Sequence, residues 1–441
     1  MIRALLLALL ILLPAPVEAR PNIVLFFVDD LGWGDIGWNG NDLIATPNID
    51  SLGRHGVSMP QFYTAANVCT PSRAALLTGR YPMRSGMQHV IFPHSQNGLP
   101  AGEVTLAELL NGAGYATGMI GKWHLGHRPQ YWPTAQGFES FLGVAYSNDM
   151  VPFDLYRDAA VVDEGVDQTA LSDLFATEGE RLIARWAQTP DRPFFLYYAP
   201  VAPHIPLFVP PASAGRSRAG LYGDVVETLD DEVGRILATL ERAGMADDTI
   251  VIFTSDNGPW FQGDNGPWRG RKGETYDGGF RVPMLVRWPN RIPAGSTASA
   301  MAMTIDLLPT LAGLASASIP TDRVIDGRDI APMWLTGADT PHDRLYFFDG
   351  NDLAAIRDRR FKLQLRDFYR TFEVPFEAYA TPLLFDLQID PRERYDVGAR
   401  HPAELAKLRN EAAMLRQIFA EFAHDPITPV PPKDTPRGPQ L

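Results

Sequence analysis

Ile23-Val24-Leu25-Phe26-Phe27-Val28 is an unbroken apolar run that stops abruptly at Asp29-Asp30. A run of this length reads as a strand covered on both faces, the pattern of a mostly parallel sheet flanked by helices. Three later stretches repeat it. Residues 117–120 lead into Gly121-Lys122-Trp123-His124, and residues 194–198 lead through a proline-rich turn to His204. Residues 250–253 end in Thr254-Ser255-Asp256-Asn257-Gly258. Helical patterns alternate with these runs over 105–111, 169–186, 222–242 and 304–314. In the third, Val225, Leu229, Val233, Ile236, Leu237 and Leu240 fall on one stripe. The alternation predicts an α/β fold, a large mixed and mostly parallel sheet sandwiched by helices. Ligands of such sheets gather beyond the carboxyl ends of the strands. Four strand ends carrying charged or metal-capable side chains therefore point into one crevice.

After about residue 341 the pattern changes. Segments 345–348, 354–356, 361–365 and 383–387 read as antiparallel strands joined by turns. Residues 402–422 read as a closing helix with Leu405, Leu408, Met414, Leu415, Ile418 and Phe419 as its apolar face. A smaller C-terminal antiparallel sheet plus helix is the expectation. The predicted organisation is a leader over 1–19, a main α/β domain over 20–340, a small α+β domain over 341–424 and a proline-rich tail over 425–441.

Arg3, the apolar run from Leu5 to Leu13 and the sequence Val17-Glu18-Ala19 make an export signal cleaved after Ala19. That run is too short to span a bilayer, and no later stretch reads as a membrane span. The chain has 441 residues and one cysteine. An exported protein without a disulfide framework suits a bacterial periplasm better than a lysosome or the animal extracellular space, so the expected location is the periplasm or the secreted medium. Its net charge of −13 argues against nucleic acid or an anionic membrane as partner.

The single cysteine lies in Asn67-Val68-Cys69-Thr70-Pro71-Ser72-Arg73-Ala74-Ala75-Leu76-Leu77-Thr78-Gly79. Thr70 can cap a helix, Pro71 suits its first turn, and Gly79 can end it. Cys69 then sits at a helix N-terminus, which favours an anion, with Arg73 near the same face. Asp29 and Asp30 repel each other unless a cation lies between them. With Asp256 and Asn257 they supply hard oxygen donors, suited to Ca²⁺ or Mg²⁺ rather than zinc. Lys122 and His124, two apart on an extended segment, face the same way. Lys272 lies in a glycine-dense stretch, 258–283. Taken singly, each has an ordinary reading: a structural cysteine, a solvated Asp-Asp turn, an exposed Lys-Trp-His edge, a structural His204, a solvated loop lysine.

Together they resemble one family. Cys69-Thr70-Pro71-Ser72-Arg73 followed by Leu76-Leu77-Thr78-Gly79 resembles the first signature of the type I sulfatases. Gly114-Tyr115-Ala116-Thr117-Gly118-Met119-Ile120-Gly121-Lys122-Trp123-His124 resembles the second. Arg269-Gly270-Arg271-Lys272-Gly273 and Phe385-Asp386-Leu387-Gln388-Ile389-Asp390-Pro391 are similar to further family segments. The likeness is to the arylsulfatase A and N-acetylgalactosamine-6-sulfatase branch of the alkaline phosphatase superfamily.

The resemblance implies hydrolysis of sulfate monoesters, either aryl sulfates or sulfated sugars. It implies that a formylglycine-generating enzyme converts Cys69 to formylglycine. It also implies a metal held by Asp29, Asp30, residue 69, Asp256 and Asn257, for which Ca²⁺ suits the flexible carboxylates better than Mg²⁺. Cys69, Arg73, Lys122, His124, His204 and Lys272 become the catalytic set, and Lys122, Ser147, His204 and Lys272 the sulfate-binding set. In the implied mechanism the formylglycine hydrate attacks sulfur, with Asp256 as base and Arg73 orienting it. Lysines and protonated histidines hold the sulfuryl oxygens, and His204 protonates the leaving oxygen to give a covalent sulfo-enzyme. His124 then takes the remaining hydroxyl proton and sulfate is released. Two departures touch loops only: Asp277 stands where glutamate is commoner, and Asn67 where a small residue is usual.

Two alternatives stay open on sequence: a phosphonate or phosphate-ester hydrolase on the same fold, and a non-catalytic exported protein that binds sulfated glycans. Segments 83–100 and 258–270 are expected to shape the substrate pocket. His89, His94, Trp260 and Trp268 are candidates for sugar or aryl contacts there, with packing or plain exposure as the ordinary alternative.

Overall fold

The computed structural model describes residues 20–367 and 377–420, so the leader and the proline-rich tail lie outside the described residues. Five strands run parallel: β1 (Asn22–Val28), β2 (Ala116–Lys122), β3 (Ser140–Val144), β4 (Phe194–Ala199) and β5 (Thr249–Ser255). They lie side by side in the order β5-β1-β4-β2-β3. Antiparallel β6 (Met284–Arg287) flanks β5, and short edge strands bring the sheet to ten. The continuous apolar runs are explained by two-sided burial. Ile23, Leu25 and Phe27 face one core, while Val24, Phe26 and Val28 face the other. Helices α2 (Leu171–Trp186) and α3 (Gly220–Arg242) cover the second face. The predicted stripe from Val225 to Leu240 is buried throughout.

Helix α1 (Cys69–Thr78) is buried along its whole length, which suits its run of small and apolar residues. It begins at Cys69, one residue before the predicted cap. Val68 is extended and makes no side-chain cap, and the Thr70 hydroxyl accepts from the Ile91 N–H instead. Gly79 ends the helix in the left-handed region (φ 65°), with its N–H donating to Ala75.

The C-terminal part forms a separate four-stranded antiparallel sheet: β7 (Leu345–Asp349), β8 (Asp352–Arg357), β9 (Phe361–Asp367) and β10 (Glu377–Asp386). Helix α4 (Pro402–Ala420) packs on it through Leu408, Ala412, Leu415 and Phe419. Met414 and Ile418 were expected on this face and are instead 58% and 48% exposed. Each precedes a buried residue by one position, about 100° around the helix, so only one of each pair can face the sheet. A third core joins the two sheets, with Tyr63, Phe280 and Met303 packing against Leu345, Phe347 and Leu363. No helix among the described residues is long and apolar enough to cross a membrane.

Candidate active site

Parallel pairing sets Val28 opposite Ser255 and Gly121 opposite Ala199, so four strand tips end near one level. Immediately beyond β1 the chain turns sharply. Asp30 adopts φ 65°, which directs Asp29 and Asp30 into the same small space despite their adjacency. The Asp256 carboxylate, from the tip of β5, accepts from the Asp30 N–H at 3.1 Å, and the Asn257 amide donates to Asp30 at 2.7 Å. The Cys69 thiol at the start of α1 lies 3.4 Å from Asp29 and 4.0 Å from Asp30. Ligand atoms of Asp29, Asp30, Cys69 and His204 all fall within 4.8 Å of one another.

Three buried cations answer three buried carboxylates. Lys122 Nζ donates to Asp29 at 2.6 Å, and Lys272 Nζ reaches Asp30 at 2.6 Å and the Cys69 sulfur at 3.3 Å. Arg73 donates to Asp256 at 2.7 Å and stands 3.4 Å from Asp29. Burial works against ionisation of Asp29, but Lys122, His204 and Arg73 outweigh it and hold its carboxyl well below the usual range. Burial and the Asp29 charge push Asp256 the other way, to about 7. Burial also raises the Cys69 thiol to about 12, beyond the help of Lys122 and Lys272. Such a thiol is protonated at neutral pH and is a poor nucleophile in its own right.

The two histidines differ from expectation. Lys122 and His124 do not share an extended segment, because β2 ends at Lys122 and His124 has φ 58°. His124 Nε2 donates to the Ile91 carbonyl at 2.9 Å, leaving buried Nδ1 with a lone pair and no partner. His204 Nδ1 lies 3.0 Å from Asn148 Oδ1 and 2.5 Å from the Ile205 carbonyl, two acceptors that place its proton there. Nε2 is then the free atom, 3.7 Å from Asp30. Burial lowers both histidines, assisted by Lys122 and Arg73 at His124 and by Lys272 at His204. In both, burial and the neighbouring cations work against the protonated imidazole that the sulfuryl-holding role asks for. Asn148 was missed as the residue that sets the His204 tautomer; its only sequence signal was its place directly after Ser147.

The glycine-dense loop delivers Lys272, and its anchors explain the two departures in sequence. The Asn67 side chain donates to the Glu274 carbonyl at 3.1 Å, while the Gly273 N–H donates to the Asn67 carbonyl at 2.8 Å. Asp277 pairs with fully buried Lys362 of β9 at 2.9 Å and with the Tyr63 hydroxyl at 2.8 Å. Lys362 also holds Glu393 at 2.6 Å. The small sheet thus clamps the loop that carries Lys272.

A family profile described as Sulfatase matches residues 21–317, and one described as N-sulphoglucosamine sulphohydrolase, C-terminal, matches residues 270–417. The chain belongs to the sulfatase family. The sulfatase is 38% identical to human arylsulfatase A over 93% of this chain and 90% of that protein. It is 36% identical to N-acetylgalactosamine-6-sulfatase of Sus scrofa, over 90% of this chain and 85% of the relative. The solved structure of Ps i-CgsB in complex with k-i-k-neocarrahexaose superposes with a TM-score of 0.79 at 30% identity, covering 90% of this chain and 93% of that one. Sulfuric ester hydrolysis is accordingly the activity of this enzyme, and the phosphonate and non-catalytic readings are not favoured.

The site fits a metal ion. Asp29, Asp30, Cys69 and His204 bring possible ligand atoms together, and Asn257 Oδ1 beside them is buried without a partner, as an unused ligand atom would be. Other predicted contacts are less central. Ser147 is buried with no partner for its hydroxyl. Trp268 packs between Trp33 and Arg281, and His94 stacks on Phe92, so both have packing partners. His89 lies over Gly350 of the β7–β8 turn, and Trp260 packs edge-on against Phe261.

Proposed function

We propose that this enzyme is an exported, calcium-dependent sulfatase acting on a sulfated sugar, with aryl sulfates as surrogate substrates. The convergence of Asp29, Asp30, Cys69, Asp256 and Asn257 within one buried space, ringed by three fixed cations, is the observation that carries the reading. The sugar preference is supported by the N-acetylgalactosamine-6-sulfatase relative and by the carrageenan-type oligosaccharide held in the Ps i-CgsB structure. Residues 20–340 would form the catalytic domain and 341–424 a supporting one, after removal of 1–19.

Asp29, Asp30, Asp256, Asn257 and residue 69 would hold the ion, and its large radius and flexible coordination favour Ca²⁺ over Mg²⁺. The ion would supply Lewis acidity, and residue 69, as formylglycine hydrate, would supply the attacking hydroxyl and a second hydroxyl for product release. The thiol marks the position of that oxidised side chain. Lys122 and Lys272, now on Asp29 and Asp30, are within reach to hold anionic sulfuryl oxygens, with Ser147 as a further donor. Arg73 keeps Asp256 and Asp29 oriented. His204 takes up a proton at Nε2 when an anionic substrate raises its basicity, and gives it to the leaving oxygen. His124, with Nδ1 free and neutral, accepts the proton that accompanies sulfate release.

The test pairs turnover of aryl sulfate and sulfated oligosaccharides, with and without calcium, with peptide mass spectrometry across residue 69. An unmodified thiol in fully active protein from the native host would overturn the assignment. N-terminal sequencing of exported protein should begin at Arg20.

A further inference from the structure

Asn148, 6% exposed, ties the segment beyond β3 to the segment beyond β4, two strands that lie on either side of β2. We propose that Asn148 is a positioning residue for the reaction: it aims His204 Nε2 at the leaving oxygen, and turnover depends on it more as that oxygen becomes more basic. This rests on the role given above to His204 and extends it.

The whole polar end of the Asn148 side chain is committed to the His204 segment. Its amide nitrogen donates to the His204 carbonyl at 3.3 Å and to the Pro206 carbonyl at 2.9 Å. Those two acceptors fix the orientation of the amide, so its oxygen faces the ring and accepts from His204 Nδ1 at 3.0 Å. The Ile205 carbonyl, 2.5 Å from Nδ1, belongs to the next residue of the same segment. It can hold the ring only relative to that segment. Asn148 comes from beyond another strand and fixes ring and segment together. Its own backbone is held in turn, because Gln168 Nε2, just before α2, donates to the Asn148 carbonyl at 3.0 Å.

Packing leaves the ring room to move. His204 borders a cavity of about 30 Å³, space for a water or two, and Asn148 and Gln168 share its wall. A ring with space beside it can turn over, which would put a carbon where Nε2 now stands. An acid must lie within hydrogen-bond reach of the atom it protonates. How much this matters depends on the leaving group. A 4-nitrophenoxide departs as a stable anion, whereas the alkoxide of a sugar hydroxyl is too basic to leave without a proton. A brace of this kind serves an enzyme that cleaves sugar sulfates.

The experiment measures kcat/KM of the active enzyme and of Asn148→Ala, Asn148→Asp and His204→Ala on 4-nitrophenyl, phenyl and 4-methoxyphenyl sulfate, with circular dichroism as the check on folding. His204→Ala should lose at least about tenfold more on the 4-methoxyphenyl ester than on the 4-nitrophenyl ester, and Asn148→Ala about three- to tenfold more. A residue that served structure alone would lower all three esters equally. Asn148→Asp keeps the shape and the acceptor for Nδ1, so it should keep the parent's leaving-group dependence even where the rate falls. An equal loss on all three esters with folded Asn148→Ala overturns the proposal. If Asn148→Ala does not fold, Asn148→Asp decides: a dependence like the parent's supports the proposal, and one as steep as that of His204→Ala overturns it. If His204→Ala shows no such selectivity, or the parent cleaves none of the esters, the earlier role of His204 falls and this inference falls with it.

Discussion

Replacing Glu232 by glutamine should make the protein's stability much less sensitive to alkali. Glu232 lies on α3, almost fully buried, with its carboxyl 2.5 Å from the Tyr198 hydroxyl of β4. Burial pushes its pKa up to about 8, against smaller opposing effects of Tyr198 and Arg235. The folded protein therefore keeps this proton between about pH 4.5, where an ordinary glutamate titrates, and pH 8, while the unfolded chain has lost it. Over that window stability falls as pH rises, by about 1.4 kcal/mol per unit. The whole interval amounts to about 5 kcal/mol. At pH 4.5 the glutamine mimics the protonated acid, and the two proteins should differ by about 1 kcal/mol or less. By pH 8 the variant should be the more stable by several kcal/mol. Urea or thermal unfolding of both proteins from pH 4.5 to 9 reads the difference directly. Parallel pH profiles would show that Glu232 ionises normally and would refute the argument from burial.

Four further outcomes are expected. Cys69→Ala should abolish turnover with a native circular dichroism spectrum, and turnover near the parent level would remove residue 69 from the nucleophile's role. Chelation should eliminate activity and lower the thermal midpoint, and calcium at a hundred times its Kd should return about 2.7 kcal/mol, seen as a midpoint rise on titration. Lys362→Met leaves Asp277 and Glu393 buried without their shared cation, for a loss of about 3–5 kcal/mol in denaturant unfolding. Gly121→Ala places a Cβ 1.9 Å from the Ala199 carbonyl at φ 101°, so it should displace Lys122 and depress kcat as well as stability; kinetics indistinguishable from the parent would contradict this.

The central sheet was legible because two-sided burial writes itself as uninterrupted apolar runs, and the crevice because Asp29, Lys122 and Asp256 each close or follow such a run. Features set by single dihedral angles were not legible. Nothing in Lys122-Trp123-His124 announces that His124 adopts φ 58° and bonds back to Ile91. Long-range polar pairing was equally silent. The Asp277–Lys362–Glu393 cluster joins residues 85 and 116 positions from Asp277, with only the departure at 277 as a hint. On α4, apolar residues outnumber the places facing the sheet, so composition alone could not choose Leu415 over Met414.

Helix α1 has its own implication for the order of events in the enzyme's life. Cys69 is 3% exposed, on a helix hidden on every side beneath the loop bearing Lys272 and within reach of Asp29. No macromolecular catalyst could grip ten residues packed in that way. The oxidation proposed for this thiol would have to come while the segment is still an open strand, and closure of the protein around it would then seal the product in.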